Sequence, residues 1–424
     1  DDELNELMQH ALRDNLQLRQ AWARLKQAKA LERGAAAGLF PRIDASLSAG
    51  RSQSPPRVFN FGGQEQTIPG VEADNFAASL PVSYELDLWG RVRAGMLAAE
   101  QDTIAARADV EAAAMTISAS VTERWFDVLE QRALRRLIED QIAVNRAQLE
   151  IVASRFAEGA SETALSDVYQ QRQQIQLLET QLAPVSGQET LAEQQLAVLI
   201  GKAPSSLVSA DRTGLPALPP LPEAGIPASL LELRPDVRAA KARVVAADYR
   251  VAQAIAARLP NLTLSGSLGF NSISVAQFFE SFIWSITASA AGTIWDGGRL
   301  DSEIERSEAV VEERLAAYGQ TLLTALVEVE TALTSERVTQ DRIAILSEQV
   351  ETARKTLEAA RLRFAAGVGN YLVTLTALRS LQQAEQQLLS AQRQLLSQRV
   401  QVYRALGSRW TSELEAPEPP KEES

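Results

Sequence analysis

Two hydrophobic periods run through the chain, one of seven residues and one of two. The longer period marks helices. Ile138, Ile142, Leu149, Val152 and Phe156 fall at a/d-type spacing, and Leu346, Val350, Leu357, Ala360 and Phe364 repeat the seam 208 residues later. Leu381, Leu388, Leu395 and Val402 recur every seventh residue, with Ala384, Ala391 and Ala405 beside them. Small alanines next to large apolar residues suit close knobs-into-holes packing. From Met96 to Glu158 there is no Gly and no Pro, and Ala, Glu, Gln, Arg and Leu fill most of the stretch. Such residues lose little rotamer freedom in a helix. At about 1.5 Å per residue that helix runs on the order of 95 Å. This length predicts a coiled coil, a helical repeat or a long tube.

The shorter period marks strands. Ile43, Ala45, Leu47 and Ala49 alternate with Asp44, Ser46, Ser48 and Gly50, and Phe76, Ala78, Leu80, Val82, Tyr84 and Leu86 form the apolar side of a second strand. Leu262, Leu264, Leu268 and Phe270 do the same later, and Trp284, Ile286, Ala288 and Ala290 alternate with Ser285, Thr287, Ser289 and Ala291.

The order of these elements repeats. Pro41–Gly50 aligns with Pro260–Gly269, Arg19 with Arg238 and Ala21 with Ala240, all at an offset of 219. Beyond the next loop the offset is 208: Gly90-Arg91 meets Gly298-Arg299, and Phe156–Gly159 meets Phe364–Gly367. A longer first loop, Arg51–Asn75 against Asn271–Ser281, absorbs the difference. The first repeat spans 1–201, with a helix over 3–37, strands over 43–51 and 76–86, a long helix over 91–157 and a return helix over 163–200. A Pro-rich connector over 202–227 is expected to wrap the middle of the rod. The second repeat spans 228–414, with a helix over 229–259, strands over 262–270 and 283–294, a long helix over 299–365 and a return helix over 371–406. Residues 415–424 read as a disordered acidic tail.

Composition removes several function classes. The 424 residues are 46% hydrophobic and 23% charged, as in an ordered protein. A net charge of −12 argues against nucleic acid as a partner, because phosphate binding needs basic surface. There is no cysteine, and His10 is the single histidine. Disulfides, thiolate metal sites and chemistry by paired histidines are excluded, and no cofactor is expected. Carboxylate pairs such as Asp109/Glu111 and Glu328/Glu330, which a hydrolase would use, stand two apart on a helix and do not face each other. A solvated face explains them. No apolar run reaches 18 residues, so a transmembrane helix is not expected, but barrel strands are short and alternate. The chain opens at Asp1 rather than methionine, so any signal peptide is expected to have been removed or to lie outside this sequence.

Four strands of about ten residues can cross a tilted bilayer path but cannot close a barrel. An open sheet in lipid leaves backbone groups unpaired at several kcal/mol each. Closure therefore needs other copies: two give eight strands, three give twelve, four give sixteen. A twelve-stranded barrel opening onto a ring of long helices is a duct. The Ser/Thr side fits a wet lumen, and Phe76, Tyr84 and Trp284 fit a membrane girdle. The rival reading is a periplasmic helical scaffold or adhesin stalk whose strands cap a soluble rod.

Phe40-Pro-Arg-Ile43, Glu85-Leu-Asp-Leu-Trp-Gly-Arg-Val-Arg93, Leu233-Arg-Pro-Asp-Val-Arg-Ala-Ala240, Gly369-Asn-Tyr-Leu372 and Val402-Tyr-Arg-Ala-Leu-Gly407 stand in one order over nearly the whole chain. With them the chain resembles outer-membrane efflux proteins of the TolC/OprM superfamily, the branch serving tripartite resistance–nodulation–division pumps. The resemblance implies a mainly α fold with a membrane β-barrel portion. Three copies would build a 12-stranded barrel in outer-membrane lipid, continuous with a periplasmic α-helical barrel closed at its far end. It implies docking to a periplasmic adaptor and, through it, to an inner-membrane pump. A type I secretion duct is the near alternative. Arg155, Phe156, Gly159, Arg363, Phe364 and Gly367 would form the adaptor-docking tips, although two C-cap glycines also explain Gly159 and Gly367. Asp167, Leu372, Thr376 and Arg379 are candidates for the periplasmic gate. Here the chain departs from its relatives, with Val373 and Thr376 where an aspartate often follows Leu372, while Arg379 is retained. Asp167 is then the candidate acidic ring member and Leu372 an apolar plug or core residue; a solvated helix face is the alternative for Asp167 and Arg379. Relatives of the OprM branch carry a lipidated cysteine at the mature N-terminus. Here such a segment lies upstream of Asp1, or the chain is not acylated. Arg234-Pro235-Asp236 reads as helix-start chemistry only.

Overall fold

The computed structural model describes residues 2–62, 64–160, 163–205, 214–218, 233–407 and 410–416. Within it the chain divides into two compact units, one of residues 1–24, 107–239 and 319–424, the other of 25–106 and 240–318.

The second unit is built on an antiparallel sheet. Its strands are β1 (Arg42–Ile43), β2 (Ser46–Gln53), β5 (Glu72–Glu85), β6 (Asn261–Ser272) and β7 (Phe282–Ala291). β1 and β2 share one edge of β5, β6 lies on its other edge, and β7 follows β6. The register explains the alternation seen in sequence. Directly paired residues lie on one face of a sheet. Leu80 pairs with Leu268 and Leu268 with Trp284, Tyr84 with Leu264 and Leu264 with Ala288, and Leu47 with Ala78. The opposite face stacks Ser46 on Ser79, Ser83 on Ser265 and Ser265 on Thr287. One face is apolar across every strand, and the other is lined by Ser and Thr. Gly269 sits where β6 comes close to β5, since a Cβ there would collide with the Ala78 carbonyl. The expected loop Arg51–Asn75 is not simply a loop. It contains a hairpin of β3 (Arg57–Phe61) and β4 (Gln64–Ile68), which pair only with each other among the described residues.

Each long helix starts where a strand ends. α3 (Arg91–Ala157) and α6 (Arg299–Ala365) have 67 residues each. Asp87 accepts the Val92 and Arg93 backbone N–H groups at 3.0 and 2.9 Å, and Asp296 accepts those of Gly298 and Leu300 at 3.1 and 3.0 Å. An aspartate therefore caps each free N-terminus, where the helix dipole favours negative charge. Among the described residues no helix is long and apolar enough to cross a membrane.

The first unit is helical. α3 packs on α4 (Leu165–Leu199) through Ile138, Ile142, Leu178 and Val185, and α6 packs on α7 (Tyr371–Leu406) through Val350, Leu357, Leu378 and Leu381. These are the seams read from the seven-residue period. Polar side chains join the two hairpins: Gln141 and Gln174 bond Gln382, and Gln386 bonds Gln141.

Residues expected as one helix over 3–37 form two, α1 (Asp2–Asp14) and α2 (Leu16–Ala37). Asn15 makes the break. Its Oδ1 accepts the Gln17 and Leu18 N–H groups, and its Nδ2 donates to the Leu199 carbonyl at 2.8 Å. One side chain thus starts α2 and satisfies the end of α4. Arg234, its counterpart at offset 219, does the second task differently. Buried before α5 (Pro235–Ala256), it donates to the Ala405 carbonyl of α7 at 3.1 Å and pairs with Asp236 and Glu328, both at 2.7 Å. Helix-start chemistry alone did not reveal that joint. Of the expected helix 229–259, residues 229–232 lie outside the described residues. So do 206–213 and 219–227 of the connector and 417–424 of the tail.

Candidate functional site

The repeat places Arg-Phe-Ala-Glu-Gly at 155–159 and Arg-Phe-Ala-Ala-Gly at 363–367, the C-terminal ends of α3 and α6. Both ends close alike. Gly159 N–H bonds the Phe156 carbonyl and Ala160 N–H the Arg155 carbonyl, each at 3.1 Å; Gly367 and Val368 repeat the pattern on Phe364 and Arg363, again at 3.1 Å. This is the Schellman arrangement. It needs a left-handed residue, and the glycines supply it with φ of 77° and 72°.

The side chains around those turns are not used alike. Arg155 reaches across to the end of α6, donating to the Phe364 and Ala365 carbonyls at 2.5 and 2.7 Å with its guanidinium 4.8 Å from the centre of the Phe364 ring. A cation on the last carbonyls of a helix is favoured by the dipole and strengthened by its charge. Phe364 is buried with Val152, Val168, Tyr371 and Leu375. Phe156 and Arg363, the other half of the repeated motif, are exposed. Gly369 lets α7 begin close by, because a Cβ there would stand 3.1 Å from Phe364 N.

The gate candidates follow directly. Asp167 is buried in the first turn of α4, its carboxylate accepting Ala164 N–H at 2.9 Å. In the single chain it is a capping acid. Asn370 caps α7 by accepting Leu372 N–H at 2.8 Å. Leu372 is half exposed, Thr376 donates back to the Leu372 carbonyl at 2.8 Å, and Arg379 lines a cleft with Gln174, Leu178 and Gln382. Tyr371 lies between them, fully buried, its hydroxyl donating to Gln171. Burial, and then the Asp167 charge, push its phenol above the ordinary tyrosine range, so it remains a neutral donor.

In the sheet unit, Trp284 is exposed on the apolar face, while Phe76 and Tyr84 are half-buried on the same face. The β6–β7 turn holds an aromatic cluster that the alternation did not signal. Phe270, Phe278, Phe279 and Phe282 stand with ring centres 5.3 to 5.7 Å apart, two of them from a short turn whose spacing fits no strand. At the other end of the sheet, Trp89 donates to the Pro260 carbonyl at 2.8 Å, and Ile294 and Trp295 are exposed before α6.

Comparison with known proteins agrees with this geometry. The family model described as outer membrane efflux protein matches residues 7–202 and 226–408. The chain is 33% identical over 417 residues to the pyoverdine export outer membrane protein OpmQ of Pseudomonas aeruginosa, covering 97% of this chain and 86% of that one. It is 29% identical over 413 residues to the toluene efflux pump outer membrane protein TtgF of Pseudomonas putida, covering 97% and 84%. Among solved structures, the outer-membrane channel OprN matches with a TM-score of 0.88 at 27% identity, over 97% of this chain and 91% of that one. VceC of Vibrio cholerae matches with a TM-score of 0.82 at 29% identity, over 96% of both. These likenesses are to outer-membrane channel proteins, which sets aside the scaffold and the hydrolase. The chain belongs to the outer membrane efflux protein family, as an outer-membrane exit channel that works with pump partners in tripartite efflux.

Proposed function

We propose that three copies of this chain close one twelve-stranded barrel in outer-membrane lipid, each giving the strands β1/β2, β5, β6 and β7. The observation that carries this is the register: one apolar and one Ser/Thr face across all strands, with β2 and β7 left as edges. The apolar face meets lipid and the Ser/Thr face lines water. The phenylalanine cluster at one end and Trp89 with Trp295 at the other supply two aromatic girdles. The ends of α3 and α6 then face the periplasm, where the Gly159 and Gly367 turns take a periplasmic adaptor and, through it, an inner-membrane pump. Asp167, Leu372, Thr376 and Arg379 stand beside those turns and narrow the closed end. By likeness to a pyoverdine export protein and a toluene efflux protein, the cargo is a small compound rather than a folded protein.

The test is a planar-bilayer recording on the purified chain, with its oligomeric state read on a heated and unheated denaturing gel. Discrete, cation-preferring conductance from a detergent-resistant trimer is expected. Monomers without conductance would overturn the reading. If Asp167 and Arg379 narrow the closed end, Asp167→Ala with Arg379→Ala raises single-channel conductance; an unchanged value removes them from the gate.

A further inference from the structure

We propose that Arg363 of one copy binds the C-terminal carbonyls of α3 in a second copy of this chain, donating to Phe156 and Ala157 with its guanidinium over the Phe156 ring. This rests on the reading that copies close a ring.

The contact already exists once within the chain. Arg155, in the first Arg-Phe-Ala-x-Gly motif, holds the carbonyls of Phe364 and Ala365, in the second, and lies over the Phe364 ring. Each partner has its counterpart at offset 208: Arg155 and Arg363, Phe364 and Phe156, Ala365 and Ala157. The reciprocal contact is left open. Arg363 is exposed, and its guanidinium meets no acceptor among the described residues. Phe156 is 40% exposed where Phe364 is 3% exposed. Among the described residues, the Phe364 carbonyl accepts from both Gly367 N–H and Arg155, whereas the Phe156 carbonyl accepts from Gly159 N–H alone.

A ring of alternating first and second repeats has two kinds of seam. One joins first to second within a chain, and the other joins second to first between chains. The within-chain seam uses the arginine of the first motif, so the seam between chains is left with the arginine of the second. The charges agree, a cation on one side and the negative end of a helix with an aromatic face on the other. Arginine is the residue suited to both tasks, because its planar fork donates to two carbonyls while stacking on a ring. Arg363 then latches neighbouring copies at the tips, as Arg155 latches the two repeats.

The chain has no cysteine, so an introduced pair is the only one present. Full-length chain carrying Phe156→Cys and Arg363→Cys, in outer-membrane vesicles, is treated with a flexible bis-maleimide and run on a denaturing gel. A ladder of covalent dimer and trimer is expected. Arg155→Cys with Phe364→Cys, the within-chain control, stays at monomer mass. In bilayers, Arg363→Ala is expected to keep the trimer and raise the conductance of the closed channel severalfold, with Arg363→Lys recovering only part. A conducting, detergent-resistant trimer that gives no link between copies, or whose conductance Arg363→Ala leaves unchanged, overturns the latch while the exit channel stands. Loss of adaptor cross-linking in Arg363→Ala with the links between copies absent assigns the residue to the adaptor and overturns it too. Absence of trimer and conductance in the unmodified chain overturns both readings, which separates the two failures.

Discussion

Arg399 and Glu336 make the most completely buried ion pair of the helical unit. Their side chains are 6% and 1% exposed, and the guanidinium nitrogens lie 2.5 to 3.0 Å from the carboxylate. Removing one partner strands the other charge away from water, at about 3–5 kcal/mol. Arg399→Met is therefore expected to lower the melting temperature markedly, and Arg399→Met with Glu336→Leu to recover most of the loss. Thermal melts of the detergent-solubilised protein measure both. Asp236 answers to pH instead. Burial alone would raise its carboxyl; the hydrogen bonds and charge of Arg234 outweigh that and hold it below the ordinary carboxylate range. A carboxylate whose value is depressed by folding stabilises the fold above its unfolded value and loses that contribution as pH falls through the folded one. The α5–α7 joint is thus intact at neutral pH and weakens below about pH 4. Asp236→Asn is expected to be less stable at pH 7 and to lose less on acidification, as melts at the two pH values show. Asn15 and Arg234 also mark where residue-level reading of the sequence ended. Neither Gly nor Pro breaks the chain at Asn15, and its reason for standing there, the end of α4, is distant in sequence. Arg155 was legible as a tip residue, but its attachment to α6 was not, because the repeat shows equivalence and not contact.

The strands and long helices were legible as elements because their signals are local. A helix of 67 residues needs only the right composition, sustained seams and a capping aspartate at its start. The face of each strand was legible for the same reason. Register was not, since pairing depends on residues almost two hundred positions apart, as Tyr84 on Leu264 shows. The hairpin of β3 and β4 was hidden too, its alternation being weak and its residues mostly polar. The sheet makes a paired prediction. Leu268 stands on the apolar face between Leu80 and Trp284, and Ser267 on the other face between Pro81 and Ser285. In the proposed barrel Leu268→Arg would put a charge into lipid, at about 2–4 kcal/mol near the bilayer midplane. It is expected to cut the yield of detergent-resistant trimer, while Ser267→Asn leaves assembly intact and changes conductance. Equal losses from both would show that the faces are not divided between lipid and water.

At the scale of the whole molecule, function follows from what one chain lacks. It carries two copies of one helix–strand–strand–long helix–return helix unit, and among the described residues its sheet ends in the edges β2 and β7. Those edges set the order of events in the life of the protein. A newly made copy that folded its strands alone would carry two long rows of unpaired N–H and C=O groups beside an apolar face, a template for adding any other strand it met. Hydrocarbon would not accept it, because nothing there satisfies the backbone. Helices form from contacts close in sequence and can precede, whereas β closure has to wait for neighbours. If three copies close the barrel as proposed, biogenesis of this channel is a race between meeting two more copies and sticking to something else. Its outcome depends on concentration and on helpers that keep edges covered, so overproduction without them should yield aggregate in place of pores.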